Sequence, residues 1–203
     1  AVAISCNGDL AVCANDGSVT TRHVSDCNTV TNTLNDAEEW IEVAEYSPCG
    51  NYLAVGSHDT NIYIYDVNNG YALLGTCKAH KASLTCIDWS QDSSYIRSVC
   101  NAYELLFFQI PDCSQDQSGA SNTVSTQWST QHCKFGWTVD GIFPKGTDGT
   151  HINGVDCNED HTLIAAGDDY GLVQLFRNPC RKGGMPRSFR AHSEHVTRVM
   201  FGR

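Results

Sequence analysis

The sequence predicts an all-β fold: an incomplete β-propeller that contains about four blades of a larger propeller or tandem propeller. The first observation is the segment "SPCGNYLAVGSHDTNIYIYDV", residues 47–67, in which two turns alternate with two apolar runs. The second is that this pattern recurs, with Asp16, Asp59, Ala102 and Asp169 at equivalent turns. These positions lie 43, 43 and 67 residues apart. A period of about 40–45 residues with four strands per repeat is typical of propeller blades.

The elements of one repeat follow from its turn and strand chemistry. Residues 48–51 favour a tight turn, because proline fixes φ and glycine tolerates positive φ. "YLAVGS" then predicts a short strand, "HDTN" a second turn, and "IYIYDV" a second strand rich in β-branched and aromatic residues. Ile62 and Ile64 should point to one face and the intervening tyrosines to the other. Since both faces are apolar or aromatic, we expect this strand to be buried on both sides.

The other copies of the pattern divide the chain into repeats. They are "AISCNGDLAVCANDGSVTTRHV", "CIDWSQDSSYIRSVCNAYELLFFQI" and "GVDCNEDHTLIAAGDDYGLVQLF". A propeller closes radially and leaves only short edges, whereas four blades alone would expose unpaired edges. We therefore expect an interior piece of a longer chain. The predicted units are residues 1–39 (a partial repeat and an outer strand), 40–79 (a repeat), 80–136 (an atypical repeat with an inserted loop), 137–187 (a repeat) and 188–203 (the start of a further repeat).

Two dipeptides, Ala79-His80 and Ala191-His192, resemble the Gly-His that precedes WD40 repeats. The copies end in "YDV", "FQI", "FRN" and "RHV", where that family usually has Trp-Asp. The resemblance implies that each histidine contacts the aspartate between the second and third strands, and that the contact is structural. Because Ala102 replaces this aspartate in the copy that His80 introduces, we expect a rearranged or water-bridged polar site there. The structural repeat positions are then Asp16, Asp59, His80, Asp169 and His192.

A narrower resemblance covers nearly the whole chain, from about Trp40 to Phe201. The segments "GIFPKGTDGTHINGVD", "AAGDDYGLVQLFRNPC" and "AHSEHVTRVMF" are similar to the echinoderm microtubule-associated protein-like family, whose members contain tandem atypical propellers. The resemblance implies a non-catalytic scaffold that binds tubulin or microtubules and organises the cytoskeleton or cilia. It also implies a location in the cytoplasm, on the cytoskeleton, or in the cilium or axoneme. A general WD40 adaptor without tubulin affinity is the alternative.

The charge distribution limits the partners. The net charge is −10, so the chain lacks the basic footprint of a nucleic-acid-binding protein and should repel an acidic microtubule surface. The exception is "RNPCRKGGMPRSFR", residues 177–190. This segment is either a solvated loop without a partner or a local contact for an acidic protein tail. Its basic residues are Arg177, Arg181, Lys182, Arg187 and Arg190.

Two tryptophans flank the inserted loop. Exposed aromatic side chains can anchor protein partners, so Trp128 and Trp137 are candidates for a binding surface. The other interpretation is that they pin the insertion onto the propeller. The second is the one we favour.

The remaining chemistry gives no case for an enzyme, a cofactor or a metal. Eleven cysteines occur without a C-x-x-C pair, whereas zinc sites need close ligand pairs, and an odd count without a signal sequence favours a reducing compartment. Glu38-Glu39 and Asp168-Asp169 have structural explanations, as a loop and a repeat turn. His192 and His195 have metal-ligand spacing, but they too fit the repeat. No apolar run approaches the length of a membrane span. An enzyme that uses a propeller channel would need converging polar residues, and the sequence shows no such set.

Overall fold

The computed structural model describes residues 1–143, 151–190 and 192–202. The segment "PKGTDGT", which the sequence predicts to be a wide loop, lies outside the described residues, as do Ala191 and Arg203. The described chain forms four antiparallel sheets of four strands, and its helices are limited to a short α1 and one 3-10 turn. The all-β prediction is therefore confirmed. The two helical segments are α1 (Gly119–Asn122) and Val67–Asn69.

Each sheet is a meander in which consecutive strands pair. The first contains β1 (Val2–Ile4), β2 (Asp9–Cys13), β3 (Val19–His23) and β4 (Asn32–Leu34); the second β5 (Ile41–Tyr46), β6 (Tyr52–Ser57), β7 (Asn61–Asp66) and β8 (Ala72–Lys78). The third contains β9 (Leu84–Trp89), β10 (Tyr95–Cys100), β11 (Leu105–Gln109) and β12 (Ser114–Gln115); the fourth β13 (Ile152–Cys157), β14 (Leu163–Asp168), β15 (Leu172–Arg177) and β16 (Arg187–Arg190).

The first three sheets belong to one compact unit, residues 1–129. Within it β5 contacts both β1 and β9, so the second sheet packs between the first and the third. The double burial predicted for β7 is confirmed, because all four of its central residues are buried. Tyr63 and Tyr65 join the core shared with the first sheet. Ile62 and Ile64 join the core shared with the third, beside Trp89.

The fourth sheet lies in a second compact unit, residues 130–203. Its strands cover a separate core that includes Val139, Ile142, Ile152 and Phe176. Val139 and Ile142 precede the sheet in the chain, so the segment before β13 supplies apolar side chains to this core. Each unit thus has its own apolar interior.

The strands can be set beside the predicted units. Residues 1–39, predicted to hold a partial repeat and an outer strand, contain the four-stranded first sheet. The boundary before residue 188 falls inside β16, which pairs with β15 from Leu172↔Arg190 to Leu175↔Arg187. Arg187–Arg190 is therefore the outer strand of the fourth sheet. Residues 192–202 contain no strand, and Val196 N donates to Asp168 O at 2.9 Å.

None of the helices in the described ranges combines the length and apolar character needed to cross a bilayer.

Candidate functional site

Three of the four repeat turns carry the predicted aspartate. Asp16 accepts a 2.6 Å hydrogen bond from the Ser18 hydroxyl, which holds the pKa of the Asp16 carboxyl below its usual value. Ala102 occupies the turn between β10 and β11. These turns all connect the second and third strands of their sheets, as the repeat pattern predicts.

Asp59 shows how such a turn is held. Its carboxylate accepts from the backbone amides of Glu38 and Asn61, at 3.0 and 2.9 Å, and from the Tyr63 hydroxyl at 2.8 Å. Burial alone would raise the pKa of Asp59, but these three donors and the Ser57 side chain together lower it below its usual value. Asp59 therefore fixes its own turn and also ties the loop before β5 to it.

His80 is a buried histidine beside a turn without an aspartate. Its exposed fraction is 6%, and Nε2 lies 2.7 Å from the Ser98 hydroxyl on β10. Burial lowers the pKa of His80 to about 4, although the Glu104 charge opposes this shift. The sequence predicts a rearranged polar site here, and Ser98 and Glu104 are the polar residues that the structure places around the ring.

At the turn of the fourth sheet, the histidine that contacts Asp169 is His195, with Nδ1 2.8 Å from Oδ1. His192, the predicted repeat histidine, precedes His195 in the chain; it is exposed, and its backbone carbonyl lies close to Gly171. Asn153 Nδ2 also donates to Asp169, at 2.8 Å. Asp169 is thus held by side chains from β13 and from the segment after β16.

Replacing Asp169 by asparagine is expected to lower the pKa of His195 towards the ordinary value of about 6.5. The hydrogen bond to Asp169 and its charge raise the pKa of His195. The pair therefore stabilises the fold below the unfolded-state pKa of histidine, and this contribution is lost as the pH rises through the folded-state pKa. A histidine NMR titration measures the shift. Asp160→Asn, at another exposed aspartate of this unit, is the control; an unchanged His195 pKa in Asp169→Asn would contradict the assignment.

The basic segment, residues 177–190, runs from the end of β15 through a loop into β16. All five of its predicted cationic residues are exposed, and no acidic residue interrupts them. Arg181 Nε lies 3.3 Å from Asp140 Oδ1, and Arg190 donates to Tyr170 O at 3.4 Å. Met185 and Phe189 are also exposed. The segment therefore presents cationic and apolar groups together, a combination that suits contact with another protein.

The two candidate tryptophans differ. Trp128 is buried, packs against Phe107, and lies beneath the Arg97 guanidinium, whose carbon is 4.4 Å from the ring centroid. Its backbone also bridges to Ser90. Trp137 is 41% exposed and has the Arg181 guanidinium 5.5 Å from its ring centroid. Trp128 thus pins the end of its segment onto the third sheet, whereas Trp137 extends the basic segment with an aromatic ring.

Sequence reasoning missed one buried ion pair. Arg97 Nε lies 2.9 Å from Asp88 Oδ2, and both side chains are buried. The two residues face each other in the β9–β10 register. Opposite charges within two consecutive predicted strands were a usable signal, since cross-strand pairs stabilise a sheet.

The turns, the meander sheets and the exposed loops define a class: WD40-type β-propellers with about four blades in this chain. A likeness to a chain in the "Crystal Structure of Mitotic Checkpoint Complex" agrees with that fold, with a TM-score of 0.59, 13% identity, and coverage of 98% of this chain and 53% of the other. A family model described as the "Echinoderm microtubule-associated protein second beta-propeller" matches residues 1–203. The chain belongs to the echinoderm microtubule-associated protein-like family, as its sequence predicts.

Individual relatives support this membership. The "Ciliary WD repeat-containing protein ctxp80" of Euplotoides octocarinatus is 56% identical over 202 residues, which are 99% of this chain and 28% of that protein. "Echinoderm microtubule-associated protein-like 2" of Rattus norvegicus is 41% identical over 170 residues, 82% of this chain and 26% of the relative. The chain thus spans about a quarter of the length of these relatives.

Proposed function

We propose that this chain is part of a non-catalytic propeller scaffold that binds tubulin or microtubules and organises cytoskeletal or ciliary microtubules. The observation that supports it is the basic segment, which concentrates five exposed cations in a chain of net charge −10. Microtubules are acidic, and oppositely charged surfaces attract when they are brought together. The names of the relatives agree with this partner, and with a location in the cytoplasm, on the cytoskeleton or in the cilium.

The geometry favours a rigid platform as the mechanism. The end of the basic segment is the outer strand β16, paired with β15 over four residues. This pairing fixes Arg187 and Arg190 relative to the sheet, so little conformational entropy is lost when they contact a partner. Trp137 adds an exposed ring beside Arg181, and aromatic and arginine side chains are the usual hot spots of protein interfaces.

The test is co-sedimentation of the full-length protein with microtubules across a salt series. Replacing Lys182 and Arg187 together by glutamine is expected to weaken binding roughly 2- to 30-fold, because each exposed ion pair contributes about 0.2–1 kcal/mol. Added salt should weaken the wild type more steeply than the variant, since screening acts on exposed charges.

The matched control is Lys78→Gln with Arg198→Gln, which removes two positive charges outside the basic segment. Pelleting close to wild type is expected for it. An equal loss in both variants would mean that net charge, and not this segment, drives binding. If the wild-type protein does not pellet with microtubules at a single one of the salt concentrations, the microtubule proposal is rejected. A general adaptor role then takes its place.

A further inference from the structure

Three potential metal-binding side chains converge inside the first unit. His80, Cys100 and Glu104 place one nitrogen, one sulfur and one oxygen atom within 4.8 Å of one another. The exposed fraction is 6% for His80 and 1% for Cys100, while Glu104 is partly exposed. The three residues come from the segment before β9, the end of β10 and the turn before β11.

A second observation points to a ligand. The Nδ1 atom of His80 is buried, and no hydrogen-bond partner is found for it among the described residues. A buried polar atom without a partner is costly, because it has lost its hydration without compensation. The opposite ring atom, Nε2, lies 2.7 Å from the Ser98 hydroxyl. If Nε2 carries the hydrogen and donates it to Ser98, Nδ1 keeps a free lone pair, and this is how protein partners orient histidine ligands of metals.

We propose that His80, Cys100 and Glu104 bind a divalent transition-metal ion of the zinc type. Nitrogen, thiolate and carboxylate are the donors that zinc takes, and a sulfur ligand disfavours Mg²⁺ and Ca²⁺. Three protein ligands leave the fourth position of a tetrahedral ion for water.

The distances between the ligand atoms are close to those around a tetrahedral zinc ion. Sulfur and oxygen ligands of tetrahedral zinc lie about 3.6 Å apart, given the usual bond lengths. Cys100 Sγ and Glu104 Oε2 are 3.8 Å apart. The His80 nitrogen lies within 4.8 Å of this pair. Because tetrahedral separations are about 3.5 Å, it would have to move closer by up to about 1.3 Å.

The charges also balance. Binding releases the Cys100 thiol proton to water, since the thiolate is the ligand. A dication with one thiolate, one carboxylate and a neutral imidazole has no net charge, which limits the desolvation penalty of burial. Lys81 Nζ lies 3.5 Å from Glu104 Oε1 and is well exposed, so it can turn away when the carboxylate binds the ion.

The test uses the full chain, reduced with a non-thiol reagent, freed of metal and titrated with Co²⁺ as the probe. One bound equivalent with a thiolate-to-cobalt charge-transfer band is expected, and Zn²⁺ should displace it. Zn²⁺ should also raise the thermal unfolding midpoint, because a ligand that binds only the folded state stabilises it.

The variant Glu104→Gln should weaken Co²⁺ binding at least about 10-fold, because even outer partners of a metal cost 10–100-fold when removed. Glu39→Gln makes the same charge change in the loop before β5 and should bind like wild type. Cys100→Ser should abolish the charge-transfer band while Cys27→Ser, at an exposed thiol of the same unit, keeps it. If Cys100→Ser does not fold, the comparison of Glu104→Gln with Glu39→Gln tests the proposal without it.

The proposal is overturned if wild type shows no thiolate band. It is also overturned if Glu104→Gln and Glu39→Gln bind equally, because the ion then sits elsewhere among the other cysteines and histidines. In either case His80 and Glu104 would form only the polar replacement for the aspartate that Ala102 removes.

Discussion

Replacing Asp88 by alanine is expected to lower the free energy of unfolding by about 3–5 kcal/mol, the usual cost of removing one partner of a buried ion pair. Asp88 is fully buried, and its Oδ2 accepts from Arg97 Nε at 2.9 Å. The variant leaves the Arg97 guanidinium buried without this carboxylate. Because a domain is stable by only about 5–15 kcal/mol, the loss is a large share of the total.

Urea unfolding followed by circular dichroism measures this effect. Asp140→Ala is the matched control, because it breaks the exposed pair with Arg181 and should cost about 0–1 kcal/mol. Replacing Asp88 by leucine together with Arg97 by methionine should cost less than Asp88→Ala, since no charge is then left buried. A loss below about 1 kcal/mol for Asp88→Ala would show that the pair is not buried as described.

Replacing Trp89 by alanine is expected to cost about 3–5 kcal/mol, as is usual for a buried tryptophan. Trp89 is 1% exposed and packs with Ile62, Ile96 and Phe108. Its indole Nε1 donates to Glu45 O on β5 at 3.0 Å. The side chain therefore joins the second and third sheets by both apolar contact and a hydrogen bond, and truncation removes both.

Two further variants separate these contributions. Trp89→Phe keeps an aromatic ring in the core but loses the bond to Glu45 O, so its cost should be smaller than that of Trp89→Ala. Trp40→Ala removes a ring that is 46% exposed and stacks on His58, and it should cost less than about 1.5 kcal/mol. Equal losses for Trp40→Ala and Trp89→Ala in urea unfolding would argue against the tight junction between the two sheets.

Much of the fold could be predicted because it depends on local sequence patterns. The 43-residue spacing of Asp16, Asp59 and Ala102 identified equivalent turns, and every one of them connects the second and third strands of a sheet. The two-sided burial of β7 followed from its apolar alternation, since successive side chains of a strand point to opposite faces. The family resemblance, which rests on segments between about Trp40 and Phe201, was also correct.

Other features depend on pairing between distant parts of the chain. The outer strand of the fourth sheet begins at Arg187, one residue before the predicted boundary at 188, because such a strand is defined by its partner, here β15, and not by its own sequence. The contact between His195 and Asp169 is a second case, because only the path of the chain after β16 brings this histidine to the turn.

The sequence by itself determined the repeat period, the four-sheet architecture, the positions of the turns and the family. Only the tertiary structure decided that Trp128 lies beneath the Arg97 guanidinium, and that His80, Cys100 and Glu104 converge. Repeats and turns depend on residues that are neighbours in the sequence, so they can be recognised as a periodic sequence pattern. Contacts among residues 20 or 40 positions apart depend on how strands pair and sheets pack. Sequence motifs for metal sites and ion pairs use short spacings, so they do not reveal such contacts.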